Sequence, residues 1–383
     1  MTKRLNILFI IDGMDFALGG TERHLLQVVT LLNKSRFKCF VYTLFEGDPR
    51  VLQELAAAGC EVHNLELHRI YDLQALKKAL RLYKFIRQSS IDIVQTFHFG
   101  ADTYGALTAK LARVPIVISS RRDIGYYRTG HRLLASRFST KLDAWMIAVC
   151  DAVKKQIVRD EKVAPEKIRT IYNGVDLASL RELEPAKKTK LRSELGIPPN
   201  AFVVGSVAHF RPEKGYQYFF EAARKIRPMV SALKVLCVGV IPPERTEKMV
   251  RDEANLGEDV LLPGYVKNVT DYLSIMDVAC LTPYANEGFS NALLEQMALG
   301  RAVVATDVGG NAEAIEHGVS GFIVPPRDAN AMAEALLRLY RDPSLRQAMG
   351  MQARARVEKH FTISKMINEL EQFYLSSFYG RLQ

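Results

Sequence analysis

The sequence has little of what would mark a membrane-spanning, disulfide-stapled or repetitive protein. No apolar run in its 383 residues approaches the ~18 needed to cross a bilayer. The apolar start in "MTKRLNILFIIDG" is interrupted at Asp12, and it reads as a buried first β-strand rather than a signal peptide. The cysteines Cys39, Cys60, Cys150, Cys237 and Cys280 are scattered, mostly inside apolar runs, with spacings that suit neither zinc nor a disulfide framework. They are expected to be buried thiols in a reducing compartment. Low-complexity tracts and repeats of solenoid length are missing. An Asp-x-Asp signature is missing too, so a metal-independent site with no cofactor is expected.

What is present fits a soluble globular protein of two domains: 48% hydrophobic, 25% charged, and too long for one ordinary core. The net charge of +10 points to an anionic partner, either nucleic acid, anionic lipid or a phosphorylated small molecule. Short apolar runs alternate with amphipathic stretches, the pattern of βα units and a parallel sheet. Strands are expected at Ile7–Ile11, Phe37–Thr43, Glu61–Leu65, Ile93–Thr96, Ile116–Ser119 and Trp145–Val149. The second half adds Phe202–Val207, Lys234–Val240, Val260–Leu262, Val278–Leu281, Ala302–Thr306 and Gly321–Val324. Between the halves, "ELEPAKKTKLRSELGIPPNA" at 182–201 is charged and proline-bearing, and the boundary is set at 185/186 within it. Two Rossmann-like domains facing across a cleft follow, with chemistry expected at the carboxyl ends of the strands.

Four stretches could carry that chemistry. In "NEGFSNALLEQMALG", Ser290 is a suitable N-cap, Leu293, Leu294, Met297 and Ala298 form an apolar stripe, and Gly300 is placed to end the helix. That leaves Glu287 in the preceding turn and Glu295 off the core face, with Gly288 letting the amides of Phe289, Ser290 and Asn291 turn toward an anion. In "VVGSVAHFRPEKGYQYFFEA", Arg211 and Lys214 follow a strand and precede a helix; a solvated loop pair is the plain reading. "GMDFALGGTERHLLQVV" sets Gly19 and Gly20 between the first strand and a helix. Around "YYRTGHRLLASRFSTKL", Arg113, Arg121, Arg122, Arg128, Arg132, Arg137 and Lys141 are answered by Asp123 alone before Asp143, and Tyr126 and Tyr127 are interleaved. A solvated basic helix explains this stretch, and so does a patch for a membrane surface or an anionic acceptor.

The stretch "PYANEGFSNALLEQMALGRAVVATDVGGNAEAI" resembles the donor-site signature of retaining glycosyltransferases of GT-B architecture, glycosyltransferase family 4 in particular. It keeps the Glu-x7-Glu spacing, the Glu-Gly-Phe-Ser turn and the later Gly309-Gly310-x-x-Glu313 turn. The resemblance runs over nearly the whole chain, including "TIYNGVDLASL" and the Gly19-Gly20-Thr21-Glu22 loop. It implies an α/β fold with an acceptor domain over 1–185, a donor domain over 186–361 and a final helix at 362–383 that crosses back to the first domain.

The resemblance also implies that Glu287 holds the donor sugar, Glu295 the ribose, and Lys214 with Arg211 the diphosphate. Many relatives have Arg where this chain has His209, so either Arg211 supplies the guanidinium or His209 shares the task. Gly20 joins Gly288, Phe289, Ser290 and Asn291 on the donor side. His98 and Arg121 are the acceptor-side candidates, Arg121 standing where many relatives carry a histidine. The implied partners are a nucleotide sugar, a uridine diphosphate sugar by default, and a saccharide or lipid-linked acceptor, but not nucleic acid. The expected setting is cytoplasmic, peripheral on the inner membrane face. A nucleotide-sugar epimerase and a catalytically silent sugar-nucleotide-binding or membrane-surface scaffold are the alternatives.

Overall fold

The computed structural model describes residues 3–14, 19–45, 47–125 and 128–380. The chain divides into two compact units, the first running to Tyr172 and resuming at Met366, the second spanning Asn173–Lys365. Among the described residues the first unit carries a seven-stranded parallel sheet: β1 (Leu5–Ile11), β2 (Phe37–Thr43), β3 (Glu61–Asn64), β4 (Ile93–Phe97), β5 (Ile116–Arg121), β6 (Trp145–Ala148) and β7 (Ile168–Thr170). Their order is β3-β2-β1-β4-β5-β6-β7. The second holds six: β8 (Phe202–Val207), β9 (Leu233–Val238), β10 (Val260–Gly264), β11 (Val278–Leu281), β12 (Ala302–Thr306) and β13 (Phe322–Val324), ordered β10-β9-β8-β11-β12-β13.

Strands with helices on both faces must be apolar throughout rather than alternating, and Ile7, Leu8, Phe9, Ile10 and Ile11 of β1 are all fully buried. Ile7 stands opposite Cys39 of β2 and Ile93 of β4, which fixes the central register. The five cysteines are buried and form no disulfide. The strand β7 carries almost no sequence signal: three residues long at the sheet edge, it buries only Ile168 and follows Pro165.

The boundary falls at Tyr172/Asn173 rather than 185/186. Residues just after it are bound into the second unit, with Val175 bridging to Thr362, the Leu183 amide donating to Ser274 Oγ at 3.1 Å, and Glu182 ion-paired with Arg301. Charge and proline mark the helix Pro185–Glu194 that follows the junction, and so displaced the sequence estimate. The final helix, Ile363–Tyr379, joins the first unit from Met366 onward. Tyr374 donates from its hydroxyl to Gln95 Oε1 at 2.5 Å, Phe373 meets Trp145 edge-on, and Glu371 accepts from the Asn33 amide at 2.8 Å.

Candidate functional site

In the second unit the strand order reverses between β8 and β11, the switch point where the loops after adjacent strands leave room for a ligand. Those loops are tied together: the Tyr284 amide donates to the Glu213 carbonyl at 3.0 Å, and Thr282 Oγ1 donates to the Lys214 carbonyl at 3.0 Å. The approach is so close that a Cβ on Gly215, which sits at φ +68°, would lie 2.0 Å from the Thr282 carbonyl oxygen. Glycine is therefore required there. The consequence is chemical, since Lys214 Nζ comes within 2.9 Å of Glu287 Oε2. Both side chains are largely withdrawn from water, at 23% and 11% exposure.

A third loop fixes Glu287 from behind. After β12 the Gly310 amide donates to the Gly288 carbonyl at 2.7 Å, and Gly309 adopts φ +59°. A Cβ on Gly309 would stand 2.2 Å from the Glu287 carbonyl oxygen, so the Glu287 turn and the glycine pair pack backbone to backbone.

The helix Asn291–Ala298 then starts with Ser290, whose hydroxyl accepts from the Leu293 amide at 3.3 Å. Its first turn presents backbone N–H groups with no partner inside the helix. Phe289 is buried against Phe361, and its carbonyl accepts from Asn173 Nδ2 at 2.8 Å, so its side chain is a packing anchor. Glu295 is half-buried, a little over one turn from Ser290. Arg211 is exposed and makes no ion pair among the described residues, while His209 is half-buried. Lys214, Glu287 and the 288–291 turn are thus brought together, with Arg211 at the mouth of the same loop.

The first unit has its own switch point, between β1 and β4. Asp12, directly after β1, accepts from the Ala101 amide at 2.6 Å through Oδ1 and from the Gly100 amide at 3.1 Å through Oδ2. It thereby clamps the start of the helical segment that opens at His98, itself held at φ +70°. Burial pushes the Asp12 carboxyl up, against the pull of His98 and the two amides. Sequence reading passed over Asp12; the available signal was a carboxylate placed immediately after an all-apolar strand. Gly20 opens the helix Gly20–Leu31, and a side chain there would meet nothing within 4 Å. Residues 15–18 of the same loop lie outside the described residues.

Arg121 needs correction as an acceptor-side candidate. It is 1% exposed and chelated by Glu161, with Nε and Nη2 donating to the two carboxylate oxygens at 3.1 and 2.8 Å. Its remaining terminal nitrogen is bound by Asp102 and Ser119 Oγ. With its donors directed inward, Arg121 is the hub of a buried ion-pair network.

The basic stretch shrinks accordingly. Arg128 is also buried, 3.8 Å from Asp102 and 3.5 Å from Asp123, and Arg137 Nε donates to the Asp160 carbonyl at 2.8 Å. Arg113, Arg132 and Lys141 remain exposed. Tyr126 and Tyr127 lie outside the described residues.

Two family patterns cover the chain in succession. The family described as glycosyltransferase family 4 matches residues 18–179, and that described as glycosyl transferases group 1 matches residues 187–356. Among curated relatives, the chain is 26% identical over 369 residues to an Escherichia coli UDP-Gal:alpha-D-GlcNAc-diphosphoundecaprenol alpha-1,3-galactosyltransferase, covering 94% of each. It is 31% identical over 229 residues, 59% of each chain, to a Bacillus anthracis N-acetyl-alpha-D-glucosaminyl L-malate synthase. Among solved structures, the Anabaena protein HepE in complex with UDP and glucose superposes with a TM-score of 0.82 at 21% identity, over 97% of this chain and 99% of that one. With both halves matched in order and the two-sheet fold shared, the chain belongs to glycosyltransferase family 4 and is a glycosyltransferase of GT-B fold.

Proposed function

We propose that the protein transfers a sugar, with retention at the anomeric carbon, from a uridine diphosphate sugar to a lipid-linked or saccharide acceptor in the synthesis of a cell-surface polysaccharide or glycolipid. The observation that carries this reading is the 2.9 Å pair of Lys214 and Glu287 at the switch point of the second unit. One side chain is a fixed cation suited to a diphosphate, the other a carboxylate suited to sugar hydroxyls. Each holds the other in place until a donor arrives. The names of several relatives support the acceptor class: the Escherichia coli enzyme is named for a diphosphoundecaprenol acceptor, and others are a capsular polysaccharide glycosyltransferase of Staphylococcus aureus and a lipopolysaccharide core mannosyltransferase of Rhizobium leguminosarum.

In the reaction, the bond from the anomeric carbon to the diphosphate breaks and its electron pair stays on the phosphate. The acceptor hydroxyl bonds to that carbon and gives up its proton to an oxygen of the leaving phosphate. Negative charge grows on the leaving phosphate as the sugar becomes oxocarbenium-like, so a preorganised cation favours the transition state over the ground state. Lys214, Arg211 and the amides at Phe289, Ser290 and Asn291 supply that charge, Glu287 orients the sugar, Glu295 binds the ribose, and Gly20 borders the donor. His98, clamped through Asp12, is the acceptor-side residue that remains. No metal or other cofactor takes part.

The experiment is nucleoside diphosphate release from candidate donors, with and without a lipid or saccharide acceptor. Acceptor-dependent release from a uridine diphosphate sugar supports the reading. Conversion of the donor sugar to its epimer without an acceptor would overturn it.

A further inference from the structure

The helix Leu73–Gln88 in the first unit has two apolar faces. Ala75, Leu82 and Ile86 point into the sheet, with Ala79 partly buried beside them. At 100° per residue, Leu73, Leu76, Leu80 and Tyr83 line the opposite side. There Leu73 is 81% exposed, Leu76 64% and Leu80 58%, and the preceding Tyr71 is 80% exposed. A helix of a water-surrounded protein has polar residues on that face. Here the polar members are all cationic: Lys77, Lys84 and Arg87 fall within the same outward sector. Between Asp72, which caps the helix, and Asp92, buried and paired with Lys3, the chain has no carboxylate.

Two neighbours extend the face. The helix Ala106–Leu111 packs into the same core layer and shows Leu107 and Leu111, 42% and 66% exposed, beside Lys110. Along the other flank of Leu73–Gln88 runs an open groove of about 560 Å³ whose lining includes Lys77, Arg81, Lys84 and His63. Cations and exposed leucines interleaved on one helix suit a surface that is negatively charged at the rim and apolar beneath.

We infer that Leu73–Gln88 is a docking helix for an anionic phospholipid bilayer, its leucines entering the acyl boundary and its cations, with the flanking groove, taking headgroup phosphates. This deepens the proposed function, resting on its lipid-linked acceptor, by assigning the contact to this helix instead of the basic stretch from Arg113 to Lys141. An acidic protein would match the charge but would leave the run of exposed leucines without a matching apolar layer.

The test is sedimentation of the full chain with vesicles of phosphatidylcholine alone or mixed with phosphatidylglycerol. Binding is expected only with phosphatidylglycerol, weakening with salt. The triple variant Lys77→Gln/Lys84→Gln/Arg87→Gln is expected to lower partitioning about fivefold for each cation, roughly a hundredfold together. Leu73→Ser/Leu76→Ser/Leu80→Ser is expected to lower it at least as far, while Arg132→Gln/Lys141→Gln leaves it unchanged.

Since a multiple variant could fold poorly, a polarity-sensitive dye on Leu76→Cys gives a second readout. It should shift to the blue on anionic vesicles, and the same dye on Leu134→Cys should not. Equal binding to both vesicle types, unchanged binding of the helix variants, or a self-association that the serine variant abolishes without any vesicle binding would each overturn the inference. Donor cleavage with a soluble acceptor, measured without vesicles, should be the same in all these variants. Its failure would count against the proposed reaction and leave the docking result standing.

Discussion

Replacing Lys214 by alanine removes one member of the pair on which the proposed chemistry rests, and the structure sets the scale of two separate losses. The first is stability. Breaking a fully buried ion pair costs about 3–5 kcal/mol and an exposed one about 1 or less. With side chains 23% and 11% exposed, the Lys214–Glu287 pair lies between these limits. A loss of about 1–3 kcal/mol is expected, a few degrees in melting temperature. The second is turnover, where loss of one preorganised contact to developing charge lowers the rate by about 10²–10³. The two separate in the assay: initial rates of nucleoside diphosphate release give kcat and KM below the melting transition, and titration calorimetry with the nucleoside diphosphate gives ground-state affinity. The fall should be mainly in kcat, because the leaving phosphate carries more charge in the transition state than in the bound donor. Chelator should leave the wild-type rate unchanged. A variant that loses stability but keeps turnover within a few fold would make Lys214 a structural partner of Glu287 and nothing more. Abolition of activity by chelator, restored by magnesium or manganese, would refute the metal-free assignment outright.

Glu295→Ala should weaken binding of the free nucleoside diphosphate while Glu287→Ala leaves it nearly unchanged; equal weakening in calorimetry would mean that the two roles are misassigned. Gly309→Ala places a Cβ 2.2 Å from the Glu287 carbonyl oxygen at φ +59°, so a stability loss of several kcal/mol is expected by thermal melting, together with reduced turnover. Arg121→Leu removes the cation that Asp102 and Glu161 hold directly and leaves Asp102 only Arg128 at 3.8 Å, with an expected cost of about 3–5 kcal/mol in denaturant unfolding at neutral pH. Asp143 is a buried carboxyl pushed well up by burial, with Asp102 adding to the shift and Arg121 opposing it. Its contribution is full below the ordinary aspartate pKa and is lost as pH rises through the folded value, so Asp143→Asn should flatten the decline of melting temperature with pH in that window. An unchanged slope would mean that Asp143 is ionised in the fold.

The strands and the Glu287 signature were legible because close packing limits the residue choices. Parallel strands covered on both faces must be continuously apolar, which gives β1 or β12 an unbroken signal, whereas β7 has a single buried residue and gives almost none. Where three loops converge backbone to backbone at Glu287, glycine is enforced at 215 and 309, and such residues are visible in sequence. Arg121 was misread because an arginine at the end of a strand looks the same whether it faces a ligand or a buried carboxylate. Its partner Glu161 is 40 residues away, in the helix Asp151–Glu161, and no local pattern joins them.

The helix Leu73–Gln88 shows the same limit from the opposite direction. A period near 3.6 says that a helix has an apolar stripe, but when leucines occupy both sides the two stripes blur into a generally apolar helix that looks simply buried. Only burial separates Leu82, fully enclosed, from Leu80, 58% exposed two residues earlier. Composition had already shown an excess of cations without locating it. The fold withdraws Arg121 and Arg128 into ion pairs and leaves Lys77, Lys84 and Arg87 beside exposed leucines. Burial thus withdraws two cations from the stretch where they are densest in sequence, while Leu73–Gln88 keeps all three of its outward cations among exposed leucines.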